Sequence, residues 1–248
     1  MNLDSAARRT LRLTGWFAFI AIATAFAGML LAGVLPFPLG PDNTQEQVVA
    51  FYSGGLHVVL GLVMTFVGLA LIGVLIAGIT YVMWRSEEEA PILTLIQGVS
   101  GTVTVMCLML PIMMMTVAAF RPERNPEITV MLNDLSWLLF ITPITPFIVQ
   151  DVAIGACILN SRRALFPRWL AYFNFWVGFT FTFDVLAYVF HGGPLAWNGL
   201  LIFWLALTTY TLWVLAMGWG ILHAVPAQAP VPAAAGVPSR AVIEDALA

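Results

Sequence analysis

Six long blocks of apolar residues constrain the fold of this chain more than any other feature of its sequence. The hydrocarbon core of a bilayer is about 30 Å thick, so a helix needs roughly 20 apolar residues to cross it. The blocks are Gly15–Leu35, Leu56–Trp84, Pro91–Phe120, Leu135–Asn160, Trp169–Phe190 and Asn198–His223. Each block reaches the required length. The sequence therefore predicts an all-α polytopic membrane protein with six transmembrane helices.

The remaining segments are too short to form a soluble domain. We expect residues 1–14 to be a cytoplasmic N-terminal segment and residues 15–224 to be the six-helix transmembrane domain. Residues 225–248 are rich in Ala and Pro, a composition that predicts a disordered cytoplasmic tail. The chain is thus expected to be one membrane domain with short ends.

The loop between the first two blocks has a helical pattern of its own. Asn43 and Thr44 are suitable helix caps, and Val48, Phe51 and Tyr52 follow at helical spacing. We expect a short amphipathic helix on the outer membrane surface. An ordinary ordered loop is the alternative.

The arginines are distributed unevenly between the two ends of the predicted spans. Seven flank one end and two the other. The first group is Arg8, Arg9, Arg12, Arg85, Arg162, Arg163 and Arg168; the second is Arg121 and Arg124. Because loops rich in Arg and Lys stay in the cytoplasm, both termini are predicted to be cytoplasmic.

The chain contains no lysine, and this excludes several kinds of chemistry. A retinal Schiff base, lysine-linked pyridoxal phosphate and a lysine nucleophile all need an amine that is absent. The sequence has no Gly-rich phosphate loop, nucleophile elbow, HExxH or CxxC motif. We expect no cofactor and no nucleic-acid partner, and the sequence favours a non-enzymatic role.

Asp151 is an ionisable residue inside the fourth predicted span. Such residues are costly in a bilayer and usually face the protein interior or a water path. Asp151 lies about 13 Å from the arginine-rich end of its helix, at 1.5 Å per residue. It follows Gln150 and two prolines, Pro143 and Pro146, each of which removes a helical hydrogen bond. Broken helices beside buried charges are typical of transporter sites.

Two interpretations of Asp151 remain open. It is either a structural group, kept protonated or bonded to Asn174 and Gln97, or part of a site for a substrate, ion or proton. In both cases we expect Asp151 to face the bundle interior beside an apolar cavity between spans three, four and five, with Asn174 near it.

The third span contains five methionines, of which Met109 and Met113 share a helix face. Methionine fills irregular gaps in protein cores, and the same side chains suit an adaptable apolar pocket. Phe179 belongs to a dense group of aromatic residues in spans five and six that line a cavity or face lipid. We include these three residues among the candidate ligand-binding residues.

A second candidate group lies near the opposite, outer end of the bundle. Asp184, Tyr188 and His191 are spaced at i, i+4 and i+7 of the fifth span, and His57 begins the second span at the same end. Two histidines and a carboxylate can bind iron, zinc or copper. A polar cap of the helix ends is the alternative, and we do not expect a metal.

Several stretches together resemble a family of small six-span bacterial integral membrane proteins to which no activity is assigned. They are residues 119–128, 132–135, 146–151, 153–155, 166–174 and 193–201. The resemblance implies the six-span architecture and a bacterial cytoplasmic (inner) membrane, and it supplies no catalytic residue. It also favours a lipid-, terpenoid- or steroid-like ligand.

The sequence thus predicts a protein that binds or transports a small apolar molecule through an intramembrane pocket. One alternative is a non-catalytic subunit of a homo- or hetero-oligomer, packed through small residues of spans two and three such as Gly61, Gly68, Gly98 and Gly101. A membrane metal-binding oxidoreductase is the second alternative. The expected partners are membrane lipids, a small apolar molecule, and a second copy or another membrane protein.

Overall fold

A computed structural model describes residues 4–87, 90–142, 144–162 and 165–224, which fold into helices and contain no strand. The α-helices in these ranges are α1 Ser5–Ala32, α2 Gln45–Tyr52, α3 Leu56–Ser86, α4 Ile92–Phe120, α5 Pro126–Ile141, α6 Thr145–Asn160, α7 Arg168–Phe181 and α8 Leu205–Ala224. Two 3₁₀ turns, Asp184–Tyr188 and Gly193–Leu195, and a π-helical turn, Leu200–Trp204, connect α7 to α8. Pro143, Arg163 and the predicted tail 225–248 lie outside the described residues.

Six helical segments of the described chain are long and apolar enough to cross a membrane. They are Ser5–Ala32, Leu56–Trp84, Ile92–Phe120, Pro126–Asn160, Arg168–Tyr188 and Gly193–Ala224. The predicted number of spanning segments is therefore confirmed. Insertion into a membrane and the cytoplasmic position of the termini stay predictions.

Two of these segments begin about nine or ten residues before their apolar blocks. The α1 helix starts at Ser5, where the Asp4 side chain accepts a hydrogen bond from the Ala7 amide at 2.7 Å. The fourth segment starts at Pro126, behind the Asn125 cap. The apolar blocks do not include these extensions, because the first turns of both helices are polar. Helix caps, and not apolar composition, fix these starting points.

The fourth spanning segment is broken in its middle, as its prolines predict. The α5 helix ends at Ile141 and α6 begins at Thr145, with Pro146 in the first turn of α6. A proline in the first turn leaves no helical hydrogen bond unmade. The break therefore separates two regular helices and disturbs neither.

The closest helix contact joins α1 and α3 through small residues. Gly28 of α1 lies against Gly61 and Thr65 of α3, and Gly68 lies against Ala25. Added Cβ atoms at Gly28 and Gly61 would each come within 2.6 Å of the carbonyl oxygen of the other residue. In lipid, such close backbone approach is a main source of helix association.

The small residues predicted to join spans two and three are therefore divided between two contacts. Gly61 and Gly68 face α1, whereas Gly98 and Gly101 of α4 face Thr80 and Ile76 of α3. The sequence identified the residues but gave the first two the wrong helix, because α3 is apolar on all sides and its pattern does not show which side meets which neighbour.

The predicted loop helix is present as α2. Thr44 and Gln47 form a reciprocal capping box at its start. Val48 and Tyr52 are buried, and the Tyr52 hydroxyl donates to Asn133 Oδ1 of α5 at 3.1 Å. Burial, together with the nearby Asp134 carboxylate, raises the pKa of the Tyr52 hydroxyl. The helix is thus attached to the bundle by one face. Its position on a membrane surface stays a prediction.

Candidate functional site

A cavity of about 70 Å³ lies between α4, α5, α6, α7 and α8. Its walls are mostly aromatic and aliphatic. The lining residues are Thr104, Cys107, Leu108, Phe140, Ile141, Ile144, Phe147, Phe181, Asp184, Phe203, Ala206, Leu207 and Tyr210. This cavity is bounded by the predicted spans three, four and five, and also by span six.

Aromatic rings from different helices form much of the cavity wall. Phe147 of α6 meets Phe181 of α7 and Tyr210 of α8 edge-on, with ring centroids 4.7 and 5.1 Å apart. Phe203 packs edge-on against Trp137 of α5 at 5.7 Å. Edge-to-face pairs hold rings in fixed orientations, so this wall is preformed. The break between α5 and α6 adds Ile144 to the same wall.

Asp184 contributes the one acidic side chain among the described residues that line the cavity. It is 1% exposed, and neither carboxyl oxygen has a hydrogen-bond partner within the described chain. Buried polar groups are nearly always hydrogen-bonded in native proteins. A carboxyl group with free hydrogen-bonding capacity on an apolar wall is therefore a strong candidate for contact with a ligand.

The local backbone explains why Asp184 points inward. The sequence predicted one α-helix through Phe190, but α7 ends at Phe181 and a 3₁₀ turn covers Asp184–Tyr188. With three residues per turn, positions i and i+4 no longer share a face. Tyr188 is accordingly 55% exposed, and its hydroxyl lies 2.7 Å from Thr142 Oγ1.

The residues of the predicted outer polar cluster differ in their exposure. His57 and His191 are exposed, whereas Asp184 is buried against the cavity. No group of three His, Cys, Asp or Glu side chains is positioned to hold a metal within the described ranges. His57, Asp184 and His191 therefore do not form a metal-binding group in these ranges.

Asp151 is also completely buried, with no hydrogen-bond partner for either oxygen in the described chain. It faces α7 at Gly178, where an added Cβ would lie 3.5 Å from Asp151 Oδ2. Tyr210 and Trp213 of α8 lie close to its carboxyl group. Asp151 is absent from the cavity lining, whereas Tyr210 belongs to it.

The expected hydrogen bonds from Asp151 to Asn174 and Gln97 are not formed. Asn174 lies one helical turn before Gly178, but its amide donates to the Leu170 carbonyl at 2.7 Å and accepts from Trp213 Nε1 at 2.9 Å. Gln97 Oε1 accepts from Thr80 at 2.8 Å. The Asn174 amide is thus engaged with α7 and α8, whereas Gln97 Nε2 has no hydrogen-bond partner within the described chain.

Gln150 lies beside Asp151 in sequence but points to another helix. Its amide nitrogen would lie 3.1 Å from a Cβ added at Gly101 of α4. Neither of its polar atoms is hydrogen-bonded within the described chain, and the same is true of Gln97 Nε2. The interior of the bundle therefore contains several buried polar atoms in addition to the carboxyl groups.

The remaining candidate ligand residues lie away from the cavity. Met109 is partly buried against the core. Met113 and Phe179 are 48% and 61% exposed, so they lie on the outer surface of the bundle. The exposed Met113 and the cavity-lining Cys107 are six positions apart on α4, which places them on different helix faces.

Sequence analysis missed most of the cavity wall. Thr104, Cys107 and Leu108 are spaced at i, i+3 and i+4 on α4, a pattern that places them on one helix face. That spacing was a usable signal. The contribution of Phe147 and Tyr210 was not readable, because it depends on how α6 and α8 are placed together.

No protein-family model matches this chain, and no curated protein or solved structure does so either. The resemblance to a six-span bacterial family therefore stays an expectation.

Proposed function

We propose that this membrane protein binds, and moves through its intramembrane cavity, a small and mainly apolar molecule. The observation that supports this proposal most directly is an apolar cavity with one unpartnered carboxyl group, that of Asp184. Ligand sites are typically apolar clefts with a few polar groups that fix the orientation of the ligand. The aromatic wall supplies the apolar contact, and Asp184 supplies the orienting group.

The volume of the cavity limits what it can hold. A single water needs about 10–15 Å³, so about 70 Å³ accommodates roughly five to seven non-hydrogen atoms. A lipid-, terpenoid- or steroid-like molecule is much larger than this. In our proposal one end of such a molecule enters the cavity, and the rest extends along the apolar outer surface of the bundle.

The proposed setting is a bacterial cytoplasmic membrane with both termini in the cytoplasm. The uneven distribution of arginines supports this orientation. Cysteines substituted for the exposed Ser53 and Asn160 test it. We expect an impermeant maleimide added to intact cells to label the first position and not the second. The reverse pattern would contradict the orientation.

Cys107 provides a local test of ligand binding because it lines the cavity. In a Cys157→Ser background, Cys107 is the one remaining thiol. We expect toluene to slow the modification of Cys107 by methyl methanethiosulfonate in the detergent-solubilised protein. Ala206→Phe should fill the cavity, slow the reaction by itself and remove the effect of toluene.

Val103→Phe is the matched control, since Val103 is 42% exposed on α4 and does not line the cavity. It should leave both the rate and the protection by toluene unchanged. If toluene gives no protection in the unfilled protein, the cavity does not bind apolar molecules and the proposed function is wrong.

A further inference from the structure

Aromatic rings surround the cavity on several sides. Phe147, Phe181 and Tyr210 form a triangle with centroid separations of 4.7, 5.1 and 6.4 Å, and their planes are inclined by 65 to 72° to one another. Phe140 and Phe203 complete the set. Ring faces are electron-rich and attract a cation within about 6 Å of the ring centre. The aromatic wall therefore suits apolar groups and also attracts positive charge.

The Asp184 carboxyl group has no partner among the described residues of the protein. Asp184 is 1% exposed and its oxygens make no hydrogen bond to any described residue. None of the described lining residues is Arg, Lys or His. A buried charge requires an opposite charge or several hydrogen bonds to offset its lost hydration. Since the described lining offers no cation, the complementary group would come from a ligand.

We infer that the cavity receives a small alkylammonium group, with the Asp184 carboxylate as its counter-charge and the five rings as its cage. The inference rests on the proposed function and specifies the chemistry of the ligand end that enters. A tertiary or quaternary ammonium is the expected class, because its methyl groups contact rings while its charge faces the carboxylate. The cavity volume suits a group about the size of tetramethylammonium.

A neutral ligand end would make only some of the contacts that this site offers. An alcohol satisfies the hydrogen-bonding capacity of one carboxyl oxygen, but it gains nothing from the electron-rich faces of Phe147, Phe181 and Tyr210. A carboxylate or phosphate would be repelled by Asp184. The combination of cage and carboxylate thus selects a cation over its neutral and anionic counterparts of similar size.

Protection of Cys107 tests this selectivity with defined probes. In the Cys157→Ser background, methyl methanethiosulfonate modifies Cys107 in the presence of tetramethylammonium chloride or of tert-butanol, a neutral molecule of similar size. Sodium chloride at equal ionic strength corrects for salt. We expect tetramethylammonium to give half-protection at a concentration at least about tenfold lower than tert-butanol, because only the cation gains both the Asp184 counter-charge and the attraction of the ring faces.

Asp184→Asn should remove this difference while keeping the protection by tert-butanol. Asp134→Asn is the matched control, because Asp134 is a partly buried carboxyl on α5 that does not line the cavity. It should retain the preference for the cation. The comparison of the two probes in the unaltered cavity decides the question even if Asp184→Asn fails to fold.

The outcomes separate the two proposals. If toluene and tert-butanol protect Cys107 but tetramethylammonium does so no better, the cationic ligand class is wrong and the apolar binding function stands. If none of the three probes protects Cys107, both proposals fail together. A preference for the cation that persists in Asp184→Asn would overturn the role of Asp184.

Discussion

Substitution of Gly61 by alanine should weaken the contact between α1 and α3. An added Cβ would lie 2.6 Å from the Gly28 carbonyl oxygen and 2.7 Å from the Ala32 Cα atom, whereas ordinary van der Waals contacts are 3.4–4 Å. Both neighbours are backbone atoms, so no side-chain rotation can relieve the overlap. The two helices must therefore separate locally by about 1 Å.

The expected destabilisation is the cost of the overlap between the helices, less the gain in helix propensity from the added methyl group. Overpacking a well-packed interior costs about 1–3 kcal/mol. A gap of that size also forfeits a quarter to a half of the attraction between the atom pairs around it. Alanine gains up to about 1 kcal/mol of helix propensity over glycine, which offsets part of this loss. We expect a net decrease of about 1–2 kcal/mol in the free energy of unfolding.

Gly73→Ala is the matched control on the same helix, because nothing lies within 4 Å of its added Cβ. The free energy of unfolding of both variants can be measured by titrating the detergent-solubilised protein with dodecyl sulfate and following helix content by circular dichroism. Gly73→Ala should be as stable as the unaltered protein or slightly more so. If Gly61→Ala is equally stable, the close packing of α1 on α3 is refuted.

Two further substitutions test buried hydrogen bonds. Trp213→Phe leaves Asn174 Oδ1 without its indole donor, so we expect the free energy of unfolding to fall by about 1–3 kcal/mol in the same titration. Trp219→Phe, at the surface, should cost less. Equal effects of the two substitutions would contradict a stabilising role for the Trp213–Asn174 hydrogen bond. Tyr52→Phe removes the bond to Asn133 and should loosen α2, measured as faster amide hydrogen exchange in that helix. Burial raises the pKa of Tyr52 in the folded protein, so the stabilisation is complete below the ordinary tyrosine pKa of about 10 and decreases above it. Thermal unfolding from about pH 8 to pH 11 should therefore show an alkaline loss that the Phe variant lacks; the same loss in both proteins would refute the assignment.

The sequence by itself determined the class of fold and the number of helical segments that are long and apolar enough to span a membrane. Block length against bilayer thickness was sufficient for this, because it depends only on composition along the chain. Local chemistry also predicted α2 from its Thr44 cap and the interruption of the fourth span from its prolines. These features depend on neighbouring residues, so tertiary contacts were not needed to find them.

Tertiary structure decided which polar residues form the candidate site. From the sequence, Asp151 and Asp184 were two acids in two apolar helices, and the broken helix favoured the first. The structure places Asp184 on the cavity wall, because α7 ends at Phe181 and a 3₁₀ turn redirects the chain. Such a change of helix type rotates side chains without altering the hydropathy pattern, so periodicity could not reveal it.

Tertiary structure also decided which helix faces meet. The α3 and α8 helices are apolar on all sides, as expected for helices in lipid, so their sequences do not distinguish the buried side from the exposed side. Gly61 and Gly73 have the same chemistry, yet one contacts α1 and the other is open. The cavity likewise depends on rings that separate helices bring together. Composition sets what can enter the bilayer, and three-dimensional packing sets which atoms remain available to a ligand.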